Sequence, residues 1–72
     1  MVVPFGIRTA YIKLDSVLKA VNAVASGGEA KLLIADGQVW VNGAVELRRG
    51  RKLYPRDGVK LADQEFRVER AR

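Results

Sequence analysis

Apolar residues recur at two different spacings along this chain, and the change falls at Gly37. Before it, Val17, Leu18, Val21 and Val24 stand at i, i+1, i+4 and i+7, which stacks them on one face of a helix. Asp15 is a good N-cap for that helix, and Gly27 and Gly28 are its expected stop. A second helix follows. Ser26 with Glu29 three residues on makes a capping-box pattern, Ala30, Leu33 and Ile34 fall on the inward face, and Gly37 stands where a helix end wants positive φ.

Beyond Gly37 the period is two. Val39-Trp40-Val41, Asn42-Gly43 and Ala44 to Leu47 predict a β-hairpin, because Asn-Gly supplies the two positive-φ residues of a type I′ turn. Pro55 to Gly58 marks another turn, Val59 to Leu61 a strand, Asp63-Gln64 a bend and Phe66 to Val68 a last strand. Thr9 to Leu14 reads as a short strand through Tyr11 and Ile12. Residues 1–8 read as an N-terminal arm, either loose or an edge segment, and residues 9–72 as a single domain. The pattern predicts an α+β fold: two helices and four or five short strands, with the helices packed on a small, mostly antiparallel β-sheet.

Seventy-two residues suffice for one domain, with an expected radius of gyration of roughly 11 Å. There is no Cys and no His, which excludes disulfides, thiolate and imidazole catalysis and Cys/His zinc sites. The remaining carboxylates, hydroxyls and lysines show no spacing of nucleophile and base, so no catalytic residue, metal site or cofactor is expected; Asp57 and Asp63 are acids that folding could bring together. No apolar run approaches the ~20 residues a membrane helix needs, and the N-terminus lacks a signal-peptide pattern, so the expected location is the cytoplasm.

Charge changes the picture more. The net charge is +5, and Arg48, Arg49, Arg51 and Lys52 carry four of the thirteen basic side chains within five residues. Without them the chain would be nearly neutral. Arginine grips phosphate oxygens bidentately, so the segment reads either as a contact to a polyanion backbone or as a solvated strand end, with Gly50 expected to let it bulge. The start of the second helix, Ser26 and Gly27, is either an anion site or a tight interhelical turn carrying the repulsive Glu29. Lys13, Lys19 and Lys31 extend the positive surface. Trp40 falls opposite Val39 and Val41, on an outer face expected near the basic segment, where it either stacks on a base or packs under an arginine stem.

Lys13-Leu14-Asp15 with Leu18, Ser26 through Gly43, the Arg48 to Lys52 cluster and Leu53 through Val59 together resemble the RNA-binding domain of small-subunit ribosomal protein S-four, the alpha-L motif. The resemblance runs from about Thr9 to Val68 and is nearest to the short stand-alone bacterial members, the YaaA and YbcJ type. It implies a cytoplasmic protein without activity of its own that is ribosome-associated or binds structured RNA; the expected partner is ribosomal or transfer RNA and the expected state a monomer. It also implies an RNA surface made of Ser26 to Lys31 together with Arg48, Arg49, Arg51 and Lys52. Two departures shift the expectation. Gly27-Gly28-Glu29 stands where many members have an Arg after the Ser, which moves the burden to the Arg cluster, and Arg56 stands where a Gly is usual before Asp57. The competing functions are a small protein-interaction adaptor and an accessory domain acting in trans for an RNA-modifying enzyme.

Overall fold

The computed structural model describes residues 1–71. In chain order the elements are β1 (Val2–Ile7), β2 (Ile12–Lys13), α1 (Leu14–Ala20), α2 (Gly27–Ala35), β3 (Val39–Val41), β4 (Ala44–Val45), β5 (Lys52–Leu53), β6 (Gly58–Leu61) and β7 (Gln64–Arg70). A five-stranded sheet runs β1-β7-β6-β3-β4, and β2 with β5 forms a separate two-stranded ribbon. Every pair is antiparallel except β1 with β7. The Cα radius of gyration is 10.9 Å. Among the described residues no helix is long and apolar enough to cross a membrane.

Strand alternation sets one sheet face against the helices. Val39 and Val41 from β3, Val59 and Leu61 from β6 and Val68 from β7 share a core with Leu14, Val17 and Leu18 of α1 and Ala30 and Ile34 of α2. The first residues are an edge strand and no loose arm. Ile7 is buried and Phe5 packs on the core, while Pro4, which has no N–H to donate, is tolerated because β1 has a neighbour on one side only.

The first helix departs from its expected limits at both ends. Its N-cap is Lys13, with Asp15 inside the first turn, because the N–H groups of Leu14 and Asp15 donate to the carbonyls of Arg51 (2.9 Å) and Arg49 (3.1 Å). At the other end the helix stops before Val24. Asn22 adopts φ +60°, and the bonds from Ala23 N–H to the Leu18 carbonyl (3.0 Å) and Asn22 N–H to the Lys19 carbonyl (3.1 Å) form a Schellman cap. Gly27 and Gly28 are therefore the first turn of α2 and not the stop of α1.

Local signals serve the second helix well. Ser26 Oγ accepts from Glu29 N–H (3.2 Å), Glu29 Oε1 accepts from Ala25 N–H (2.6 Å), and Gly37 at φ +77° closes a second Schellman cap through Ile34 and Leu33. Asn42 (φ +52°) and Gly43 (φ +85°) make the I′ turn between β3 and β4. The second hairpin strand ends at Val45, short of Leu47, because the chain turns Glu46 inward. Asp57 anchors the turn before β6: its carboxylate accepts from Asn42 Nδ2 (3.0 Å) and Tyr54 N–H (2.8 Å), so it serves structure, with no bond to Asp63.

Arg56 keeps that turn at φ +84°, a left-handed conformation a Cβ disfavours. Replacing Arg56 with Gly is expected to stabilise the fold by about 1 kcal/mol, which raises Tm by roughly 4–8 °C in a domain this size. An unchanged or lower Tm in a thermal melt followed by circular dichroism would show that the turn carries no such strain.

Candidate functional site

The four basic residues lie on the connection from β4 to β5, and a carboxylate just ahead of them organises it. Glu46 is only 6% exposed. Its Oε2 accepts from Arg48 N–H (3.0 Å) and Arg48 Nε (3.0 Å), and its Oε1 accepts from Arg48 Nη2 (3.2 Å) and Arg51 Nη1 (2.8 Å). These bonds, led by those from the Arg48 and Arg51 side chains, pull the Glu46 carboxyl down to about 2. The same carboxylate holds the Arg48 guanidinium above its ordinary value.

Backbone bonds fix the loop as well. The Arg51 N–H donates to the Arg48 carbonyl (3.2 Å), making a turn through Arg49 and Gly50 where a bulge was expected. No partner strand is paired there, so nothing exists for it to bulge from. The carbonyls of Arg49 and Arg51 cap the start of α1, as described above. Arg48 nevertheless keeps most of its side chain in solvent, and Arg51 about a third. Arg49 and Lys52 form no ion pair among the described residues.

Lys13 and Lys52 were both expected at the site, but their pairing and the two tyrosines beside them were missed by the sequence reading. The β2/β5 ribbon sets Lys13 directly opposite Lys52. One step further along, the Tyr11 and Tyr54 rings lie 6.0 Å apart at 50°, and Lys52 Nζ sits 4.8 Å from the centre of the Tyr11 ring. The alternation Lys52-Leu53-Tyr54 with Leu53 buried was a usable signal, but the pairing with β2 was not visible.

The other expected residues do not join this cluster. Ser26 spends its hydroxyl on the Glu29 N–H of the α2 cap, and Glu29 places a carboxylate there that opposes an anion. Gly27 is half-buried in that turn and Lys31 is exposed on α2. Among the described residues no side-chain hydrogen bond or ion pair joins any of the three to the Arg loop. Trp40 lies on the outer sheet face as expected, but it lines a cleft with Lys60, Asp63, Glu65 and Arg67, whereas Arg48, Arg51 and Lys52 line a different depression. Its cross-strand partners are Val45 and Lys60, neither of them in the basic loop.

Residues 5–69 match the family model of the S4 domain, and the chain belongs to that family. It is 41% identical over 58 residues to the probable ribosome maturation protein RlbA of Bacillus subtilis, covering 81% of this chain and 82% of that one. It is 38% identical over 58 residues to the putative RNA-binding protein YbcJ of Escherichia coli, covering 81% of this chain and 83% of YbcJ. The solution structure of YbcJ, described as revealing an αL motif involved in RNA binding, matches with a TM-score of 0.67 at 34% identity over 94% of this chain and 85% of that one. The fold is thus the two-helix αL arrangement on a mostly antiparallel sheet.

The depressed Glu46 carboxyl makes a pH prediction. A group whose folded value lies below its ordinary 4.5 contributes its stability in full above about 4.5 and loses it as pH falls toward about 2. The Tm gap between wild type and Glu46→Gln is therefore expected to be constant near neutrality and to close between about 4.5 and about 2. A gap that persists unchanged at the acid end would mean that Glu46 ionisation does not hold the loop.

Proposed function

We propose that this protein is a non-catalytic RNA-binding module that grips structured RNA through backbone phosphates with Arg48, Arg49, Arg51 and Lys52, extended by Lys13. The observation that carries this reading is the loop of residues 46–51, held by Glu46 from within and by α1 from behind, with its cationic ends left outward. Preorganised guanidinium groups lose less freedom on meeting a phosphate than four mobile side chains would. Membership of the S4 domain family supports RNA as the polyanion, and the ribosome-maturation name of the Bacillus relative favours ribosomal over transfer RNA. A cytoplasmic, ribosome-associated monomer without a cofactor fits the same reading.

Lys31, Ser26 and Gly27 are at most a weaker outer contact, because Glu29 opposes phosphate at the start of α2. Trp40 stands outside the proposed surface. Base readout is minor, since phosphate contacts set register and not sequence.

Neutralising three or four phosphates gives a slope of log affinity against log salt of roughly −2 to −4. The test is a titration of a hairpin RNA and of duplex DNA at several salt concentrations, with wild type, with Arg49→Ala and with Lys52→Gln. Both substitutions spare the Glu46 clamp, and each is expected to weaken binding and to reduce the slope by about 1. Replacing all four basic residues would strand Glu46 without partners, so the single variants are the cleaner comparison. Salt-insensitive binding, or binding that neither variant changes, would overturn the phosphate grip and favour the protein-adaptor function.

A further inference from the structure

The β2/β5 ribbon carries a cost that its own packing does not explain. Lys13 and Lys52 are direct cross-strand partners, both exposed, and neither pairs with an acid among the described residues. Like charges set opposite one another on a sheet repel. Lys52 is partly relieved by the Tyr11 ring beneath it, but Tyr11 is thereby covered on one face. Tyr54, on the same side of the ribbon, is 49% exposed.

Tyr54 is also firmly placed. Its N–H donates to the Asp57 carboxylate (2.8 Å), its carbonyl accepts from Asp57 N–H (2.9 Å), and Pro55 fixes the chain between them. Asp57 in turn is held by Asn42 of the I′ turn. A half-exposed aromatic on a rigid turn, one step from two unneutralised lysines, has the make-up of a nucleotide site: a flat face for a base beside cations for its phosphate. The cleft at Trp40 lacks that make-up, since Lys60 and Arg67 are balanced there by Asp63 and Glu65.

We infer that the outward face of the β2/β5 ribbon binds one unpaired nucleotide of the RNA, its base stacked on Tyr54 and its phosphate between Lys13 and Lys52. This rests on the RNA-binding reading and sharpens it. The preferred target is a paired stem whose backbone meets the Arg loop and which carries an unstacked nucleotide beside it. Specificity then comes from RNA shape and not from base edges, because stacking accepts any base.

The experiment compares three hairpin RNAs: one with a single bulged adenosine, the same hairpin with an abasic bulge, and the fully paired hairpin. Wild type is expected to prefer the bulged adenosine over both others by roughly five- to a hundredfold. Tyr54→Ala is expected to bring the three affinities together while leaving binding to the paired hairpin and its salt slope unchanged, and Tyr54→Phe to keep the preference, since stacking needs the ring and not the hydroxyl. Tyr54→Leu, which retains apolar bulk without a π face, gives the same reading if the Ala variant fails to fold. Equal wild-type affinity for the three hairpins with an intact salt slope overturns the nucleotide site and leaves the phosphate grip standing. A preference that survives in Tyr54→Leu overturns it as well. Absence of salt-dependent binding to any hairpin overturns both.

Discussion

Taking the Glu46 carboxylate out of water is unfavourable unless its lone pairs are filled, and four donors from Arg48 and Arg51 fill them. That requirement sets the path of the whole connection from β4 to β5. Glu46 turns in at the end of the hairpin, so β4 is cut to two residues. The chain must then double back within five residues to bring Arg51 to the same carboxylate. The basic surface is thus built around one buried carboxylate, which sets the positions of Arg48 and Arg51.

The core inherits something in return. A helix of seven residues has little stability of its own, and α1 begins where the carbonyls of Arg49 and Arg51 meet its first N–H groups. Leu14, Val17 and Leu18, all fully buried, follow directly from that start. The loop that faces solvent on one side therefore helps to nucleate the helix on the other. Loosening the loop would cost packing, which ties the rigidity of the charged surface to the stability of a small domain without cysteines.

Signals contained within a few residues made much of this legible beforehand. The α2 cap lies in Ser26 and Glu29, its end in Gly37 and the hairpin in Asn42-Gly43, and in each the side chain or the φ preference acts on its own neighbourhood. The limits of α1 were not legible for the opposite reason. Its start depends on a loop more than thirty residues away, and its end depends on Asn22 taking a conformation usually left to glycine. The basic run was visible as composition, but the division of labour within it was not. Nothing local separates Arg48 and Arg51, which meet Glu46, from Arg49 and Lys52, which do not. Tyr54 and Lys13 were brought to one face only by the β2/β5 pairing, a contact that short strands leave almost unmarked in sequence.

Where the charge sits matters more than its total. At physiological ionic strength exposed charges are screened beyond about 8 Å, so a net +5 spread over the surface would give a partner little direction. Here the two halves of the molecule differ. On the outer sheet face Lys60 stands opposite Glu65, and Asp63 lines the cleft with Arg67, so the field there is close to balanced. In the basic loop four cations face one carboxylate, and Lys13 adds a fifth across the ribbon. That leaves the surplus on the residues that lead into β5 and on the strand paired with it. On the proposed function, a polyanion would be drawn to the face where this surplus lies, and there the buried Glu46 carboxylate fixes two of the cations, Arg48 and Arg51, in place.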